Sequence, residues 1–194
     1  RVVSASSTLY TRVDSNDITV WAPRTRVAAK VADTVSVESS YALDAWTGAS
    51  VDVVTAATKA IHEVRHEWAA GAAYEVGDWN LAASYRYSTE PDYVSNGAVA
   101  SASVDLAENN TTLELAGFGS RDSVGRVGDP QFDEAQKSVG ARLTLTQVLD
   151  VDTIVQLSWE TMGVLGYQAS PYRFVAIGGS GTCASLAPLC LPEH

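Results

Sequence analysis

Trp79 to Ser88 reads W-N-L-A-A-S-Y-R-Y-S, and the way its residues alternate decides how the rest of the chain is read. On an extended backbone Trp79, Leu81, Ala83, Tyr85 and Tyr87 point one way, while Asn80, Ala82, Ser84, Arg86 and Ser88 point the other. A period of two marks a half-buried strand. The apolar side opens on Trp and closes on a Tyr pair, with small residues between. A strand looks like this when its apolar face meets lipid and aromatic rings sit at the two water boundaries. A strand of a soluble sandwich shows the same alternation, so this segment alone does not separate the two.

Composition narrows the choice. The 194 residues suffice for one domain with a sizeable core, or for two small ones. Thirteen basic residues stand against 23 acidic ones, a net charge of −10. No basic surplus exists to displace counterions from phosphates, which argues against a nucleic-acid partner. Although 46% of the residues are hydrophobic, no apolar run approaches the roughly 18 residues of a membrane helix. Strands of a transmembrane barrel need no such run, because each is only half apolar. The chain opens on Arg1 with no signal peptide, so the expectation is that its true start lies upstream.

Outward from the opening stretch, about nine strands are predicted, in up-and-down order. They are Val2 to Val13, Ile18 to Ala32, Val35 to Trp46, one from about Glu63 to Val76, Trp79 to Ser88, Val94 to Leu106, Thr111 to Phe118, Lys137 to Val148, and Thr153 to Thr161. Most have about the nine to eleven residues a tilted strand needs to cross a bilayer. Gly48 to Ala60 reads as a long mixed stretch, and Gly119 to Ala135 as a polar loop. Asp33-Thr34, Gly77-Asp78, Glu108 to Asn110 and Asp150 to Asp152 are short turns that fall on one end. Most connections at the other end read as long and polar. Such sorting suits a barrel with one end in the periplasm and the other outside, whereas Greek-key crossings give no reason for it.

The polar side of these strands is predicted to line a lumen through Arg24, Arg26, Lys30, Glu38, Asp44, Glu63, Arg65, Glu67, Arg86, Asp105, Glu114, Arg142 and Glu160. Charges of both signs there would pair across strands. The apolar side carries Trp21, Tyr41, Trp68, Tyr74, Trp79, Tyr85, Tyr87 and Trp159 as candidate membrane-interface aromatics.

One motif competes with the barrel. His62-Glu63-Val64-Arg65-His66 matches H-E-x-x-H, which on a helix sets two histidines one turn apart around a zinc ion, with the Glu as general base. Val53, Ala57, Ala60, Ile61, Val64 and Trp68 follow helical spacing, so a helix here is not absurd. A third ligand is missing: the remaining histidine is His194, and Glu90 sits in a turn. On a strand, His62 and His66 instead join Val64 and Trp68 on the outward face. No G-x-S-x-G and no phosphate-cradling glycine loop is present, so no catalytic residue, cofactor or metal is expected. Asp122, Asp129, Asp133 and Glu134 lack the spacing of a calcium loop and read as a solvated acidic loop. Cys183 and Cys190 could close a small loop in an oxidising compartment; C-x6-C is no metal spacing, and paired and free thiols both stay open.

Several phrases resemble a family of Gram-negative bacterial outer-membrane barrel proteins of unknown function. They are D-A-W-T-G-A-S-V-D-V-V-T-A-A-T at Asp44 to Thr58, E-V-R-H-E at Glu63 to Glu67, N-N-T-T-L at Asn109 to Leu113, T-Q-V-L-D at Thr146 to Asp150, A-S-P-Y-R-F-V at Ala169 to Val175, and C-L-P-E-H at Cys190 to His194. The resemblance spans most of the chain and implies that E-V-R-H-E begins a barrel strand. It also implies a family length about twice this one, with this chain as the N-terminal half. An odd strand count agrees, since single-chain bacterial barrels close with even numbers. The resulting expectation is an all-β, antiparallel up-and-down transmembrane β-barrel, incomplete at about nine strands. Residues 1–162 would form strands and loops, and 163–194 an extracellular loop or tail of the same domain. Expected partners are the lipid bilayer of the bacterial outer membrane, together with missing C-terminal strands, a cleaved segment or further copies. The expected role is a pore, channel or membrane scaffold. The alternatives are a zinc-dependent metallohydrolase using His62, Glu63 and His66, and a soluble all-β surface-binding module.

Overall fold

The computed structural model describes residues 2–13, 19–47, 62–172, 174–176 and 190–192. They form β1 (Val2–Val13), β2 (Thr19–Ala32), β3 (Val35–Thr47), β4 (His62–Val76), β5 (Trp79–Thr89), β6 (Tyr93–Leu106), β7 (Thr111–Gly125), β8 (Asp133–Asp150) and β9 (Thr153–Gly166), with the short β10 (Phe174–Ala176) and β11 (Cys190–Pro192). The first nine make one antiparallel sheet in chain order, each strand hydrogen-bonded to its sequence neighbours, and β10 pairs with β11. The sheet is open between β1 and β9. None of the described residues is helical, and no helix is long and apolar enough to cross a membrane. The Gly48–Ala60 stretch, Cys183 and the side chains of His62, Glu63 and Cys190 lie outside the described residues, as does any link between the two cysteines.

Tight turns hold one end together. Gly77 turns between β4 and β5 with φ +57°, a left-handed conformation that costs glycine nothing. Ala107, Glu108 and Asn109 adopt φ values of 51°, 56° and 67° in succession. Only Asn is at ease there, so the β6–β7 turn stores strain. At the opposite end the connections are less uniform than the sequence suggests. The β5–β6 link is only residues 90–92, as short as the turns below it, and the β7–β8 link is only 126–132. The Gly119–Ala135 loop is thereby corrected. Residues 119–125 continue β7, with Gly119 opposite Val139 and Asp122 opposite Gln136. G-S-R-D-S-V-G reads as loop because it is polar on both faces, yet its backbone finds full ladder partners on β6 and β8. β9 likewise runs on to Gly166, beyond Thr161.

Burial follows strand parity in the reverse of the usual sense. Ala42 (4% exposed), Ala116 (1%), Val124 (8%), and Ser88, Ser95 and Asp122 (5% each) are the buried residues, and the register puts all six on one face. That face, the inner one by its greater burial, also carries most of the charges. Trp21, Val37, Tyr41, Trp68, Tyr74, Trp79, Leu81, Leu115, Leu143, Leu157 and Trp159 stand on the other face and are exposed. Single exposed apolar residues are ordinary; a whole sheet face of them is not. No second layer covers this face among the described residues: contacts between strands run only between sequence neighbours and between β10 and β11.

Candidate functional site

The inner wall is built by cross-strand ion pairs. Every predicted lumen residue from Arg24 to Glu160 falls on inner-face parity by backbone register, Glu63 through its pairing with Trp46. Arg26 Nε donates to Glu38 Oε2 at 3.1 Å, and Arg65 Nε to Asp44 Oδ2 at 3.0 Å. Lys30 reaches Glu75 at 3.7 Å, and Arg86 reaches Glu67 at 3.3 Å. Arg142 stands between Glu114 and Glu160, 3.8 Å from each. Asp105 accepts from the Thr112 hydroxyl at 2.6 Å. These pairs are water-accessible, so each contributes at most about 1 kcal/mol, and their main effect is to orient the wall. Between them the wall is shallow. Ala28, Ser36, Gly71, Ala73, Ala82, Ser84 and Ser101 line a depression of about 360 Å³ together with Arg26 and Glu38.

The outward face shows the complementary arrangement. All eight predicted interface aromatics lie on it. Tyr41, Trp68 and Tyr87 sit side by side on β3, β4 and β5 near the long-loop end, and the same row continues as Asn96, Arg121 and Lys137. Their polar atoms find local partners. Trp68 Nε1 donates to Ser39 Oγ at 3.1 Å, the Tyr41 hydroxyl is hydrogen-bonded to His66 Nδ1 at 2.7 Å, and Tyr85 donates to Asn96 Oδ1 at 2.6 Å. Val76 and Trp79 close the other end, next to Val104 and Leu113. Trp79 and Tyr87 are eight positions apart, about 27 Å along a strand, or about 20 Å of height at a tilt near 40°. Outward-facing charges within the described strands are Arg121, Asp133 and Lys137 at the long-loop end and Asp150 at the last residue of β8 beside the short turn, so none falls in the middle of a strand.

The zinc motif loses its premise here. His62 and His66 belong to β4, opposite Thr47 and Leu43, so their backbones stand four strand residues apart, about 13 Å, and not one helical turn. His66 is engaged with Tyr41. No cluster of three or more His, Cys, Asp or Glu residues suited to a metal occurs among the described residues. The acidic-loop reading is corrected as well: Asp122 is not solvated but buried within β7, and Asp129 is paired with Arg126 at 3.2 Å.

Sequence reasoning missed a structured mouth at the long-loop end. After β9, Gly166 (φ +97°) turns the chain, and residues 167–172 fold back across β8 and β7. Tyr167 N donates to Ala135 O at 3.0 Å, and Gln136 Nε2 donates to Tyr167 O at 2.7 Å. Arg126 Nε donates to Pro171 O at 2.8 Å, and its guanidinium lies 4.1 Å from the centre of the Phe132 ring. Phe132 meets Tyr167 edge-on at 5.4 Å. The Tyr172 hydroxyl donates to the Asp92 carboxylate and accepts from Val127 N at 3.0 Å. An inner-face row of Ser88, Ser95, Asp122 and Gln136 is directly paired across four strands, and Gln136 ties its end to the strap. Tyr93, past the aromatic row toward the loops, is pushed up to about 12 by burial and then by its hydrogen bond to the Asp122 carboxylate. The one readable signal was A-S-P-Y-R-F-V, whose Pro171 and Tyr172 supply the strap's contacts.

Comparison with known families adds one finding. Residues 53–137 match a family described as Protein of unknown function (DUF3570), a stretch that includes β4 to β7. The match carries no chemistry. Neither the curated proteins nor the solved structures contain a match to this chain.

Proposed function

We propose that the outward face of this sheet is solvated by acyl chains, and that the chain is the strand-bearing part of an outer-membrane β-barrel serving as a pore or membrane scaffold. One observation carries the proposal: most of the exposed large apolar and aromatic residues stand on one face, Tyr10, Val99, Ile154 and Met162 being exceptions, while all six buried residues sit on the charged one. In water such a sheet would leave several hundred Å² of contiguous apolar surface uncovered. In a bilayer the same surface is the stable one, and every backbone group within the sheet is satisfied by its neighbours. Small residues and balanced charges on the inner wall suit a wet lumen. The unpaired edges of β1 and β9 need further strands, from continuation of the chain, a cleaved segment or other copies, because open strand edges do not persist in hydrocarbon.

The test uses the tryptophans. Trp21, Trp68, Trp79 and Trp159 point outward, whereas Trp46 shares the inner face with Glu38 and Asp44. Single-tryptophan variants reconstituted into vesicles of brominated phosphatidylcholine are expected to lose most of their fluorescence at positions 68 and 79 and little at 46. Equal quenching at all three positions would defeat the proposal, as would a soluble, monomeric sheet without detergent. Ion conductance across a planar bilayer then separates pore from scaffold.

A further inference from the structure

The outward row that carries Tyr41, Trp68 and Tyr87 changes character on the later strands. On β7 and β8 it consists of Arg121 directly opposite Lys137, both exposed, with Leu165 of β9 as the next neighbour. These two are the only Lys or Arg on the outward face of the described strands. Directly paired residues have Cβ atoms about 5 Å apart, so two like charges there repel unless an anion sits between them. None of the neighbouring acids fills that role. Asp133, on the same face, lies four residues from Lys137 toward the loops, about 13 Å along the strand, and accepts from the Ser123 hydroxyl. Asp122 and Glu134 belong to the inner side of the sheet by register, and Asp122 Oδ2 accepts from Ser120 at 2.9 Å. Glu90 and Asp92 line the hollow under the strap, and Arg126, in the β7–β8 loop, is paired with Asp129. Among the described residues, neither Arg121 nor Lys137 has an ion-pair or hydrogen-bond partner for its side chain.

Further down the same face the surface is open and apolar. Ala83, Tyr85, Ala98, Ala100 and Gly117 line a depression of about 660 Å³. Gly117 is four residues from Arg121 along β7, about 13 Å, and a Cβ added there would meet nothing within 4 Å. We propose that Arg121 and Lys137 hold the headgroup of an anionic phospholipid, with its phosphate between guanidinium and ammonium and an acyl chain laid over Gly117 and Ala100. The inference rests on the lipid-facing reading and adds which lipid this part of the face selects. Arg offers phosphate oxygens a fork of donors and Lys a compact charge, so the pair suits a phosphate group. The height agrees, because interfacial aromatics sit at headgroup level and these cations share their row. A zwitterionic lipid brings its own ammonium close to the pair and is disfavoured. With a net charge of −10 the chain has no general attraction for anionic lipid, so the selection is local.

The test reads lipid selectivity at one point on the face. Leu165 is outward and 68% exposed, and Leu165→Trp places a probe beside Lys137 in a full chain whose five native tryptophans are replaced by Phe. This chain is reconstituted into mixed vesicles in which either the phosphatidylglycerol or the phosphatidylcholine is brominated. Quenching at position 165 is expected to favour phosphatidylglycerol by at least about fivefold, the effect of one basic side chain near an anionic surface. A lone Trp21, on β2, should show no preference. Arg121→Gln combined with Lys137→Gln should abolish the preference at position 165 while quenching by brominated phosphatidylcholine persists. If that double variant does not insert, the Leu165→Trp chain in about 1 M salt replaces it, and the preference should fall there too. Equal quenching by the two lipids, or a preference that survives the double variant or the salt, overturns the proposal. Quenching by neither lipid at positions 165 and 21 would defeat the lipid-facing reading itself, and the proposal with it.

Discussion

The two faces of the nine-stranded sheet share every backbone hydrogen bond, yet they follow opposite rules. Inward, Arg65 meets Asp44, Arg142 meets Glu160, and alanines and serines are packed out of solvent. Outward, Trp68 is 57% exposed and Trp159 64%, and charges appear only toward the strand ends. A soluble protein selects the reverse, because apolar burial is its main driving force. Under the proposed lipid-facing reading, the contrast means that the solvent of the outward face, and not its packing, supplies the stabilisation.

The sharpest way to break that contrast is one charge moved by one residue. Ala82 and Ala83 are neighbours on β5 that face opposite ways. Ala83→Arg is expected to destabilise the vesicle-inserted protein by roughly 2–4 kcal/mol, while Ala82→Arg, entering the shallow polar wall, should cost well under about 1 kcal/mol. Urea unfolding from vesicles measures both, and equal costs would mean that the faces are not differently solvated. A smaller effect is expected within the inner wall. Gly140 lies beneath the Phe118 ring, where an added Cβ would stand 2.5 Å from ring carbons and 2.6 Å from Thr161 O. Gly140→Ala should therefore cost about 1–3 kcal/mol, measured in the same way, whereas Gly117→Ala, open on the outward face, should be near neutral.

pH sharpens the comparison at the mouth. The folded-state pKa of Tyr93 is raised above its ordinary value of 10.0 to about 12, so the folded protein holds this proton more tightly than the unfolded chain. Stability from this group is then complete below about pH 10 and is lost as pH rises toward 12. Ultraviolet titration of phenolate should show one tyrosine ionising later than the rest, and Tyr93→Phe should remove that late step. The smallest effect belongs to the exposed ion pairs. Arg142→Ala, which releases both Glu114 and Glu160, should cost less than about 1 kcal/mol at low salt, and high salt should reduce that difference further.

Strand existence, order and facing were legible in the residues, because a period of two survives any tertiary arrangement that keeps one face wet and the other apolar. Trp79 to Ser88 shows this most clearly: its alternation alone set Tyr85 and Tyr87 on one face and Arg86 on the other, as the register has them. The 119–125 stretch was illegible for the complementary reason. Gly119, Ser120, Arg121, Asp122 and Ser123 are polar or small on both faces, so no local pattern separates such a strand from a loop, and only the ladders to β6 and β8 define it. The burial of Asp122, the fold-back of Tyr167 to Tyr172 and the seat of Phe118 over Gly140 join residues from different strands.

Periodicity along the chain therefore determined what each strand is and which way each side chain faces, since both follow from backbone pleating and are local. Tertiary structure alone decided which groups meet at the long-loop end, because that depends on register between strands and on a turn at Gly166 that brings Tyr172 to Asp92, 80 positions away.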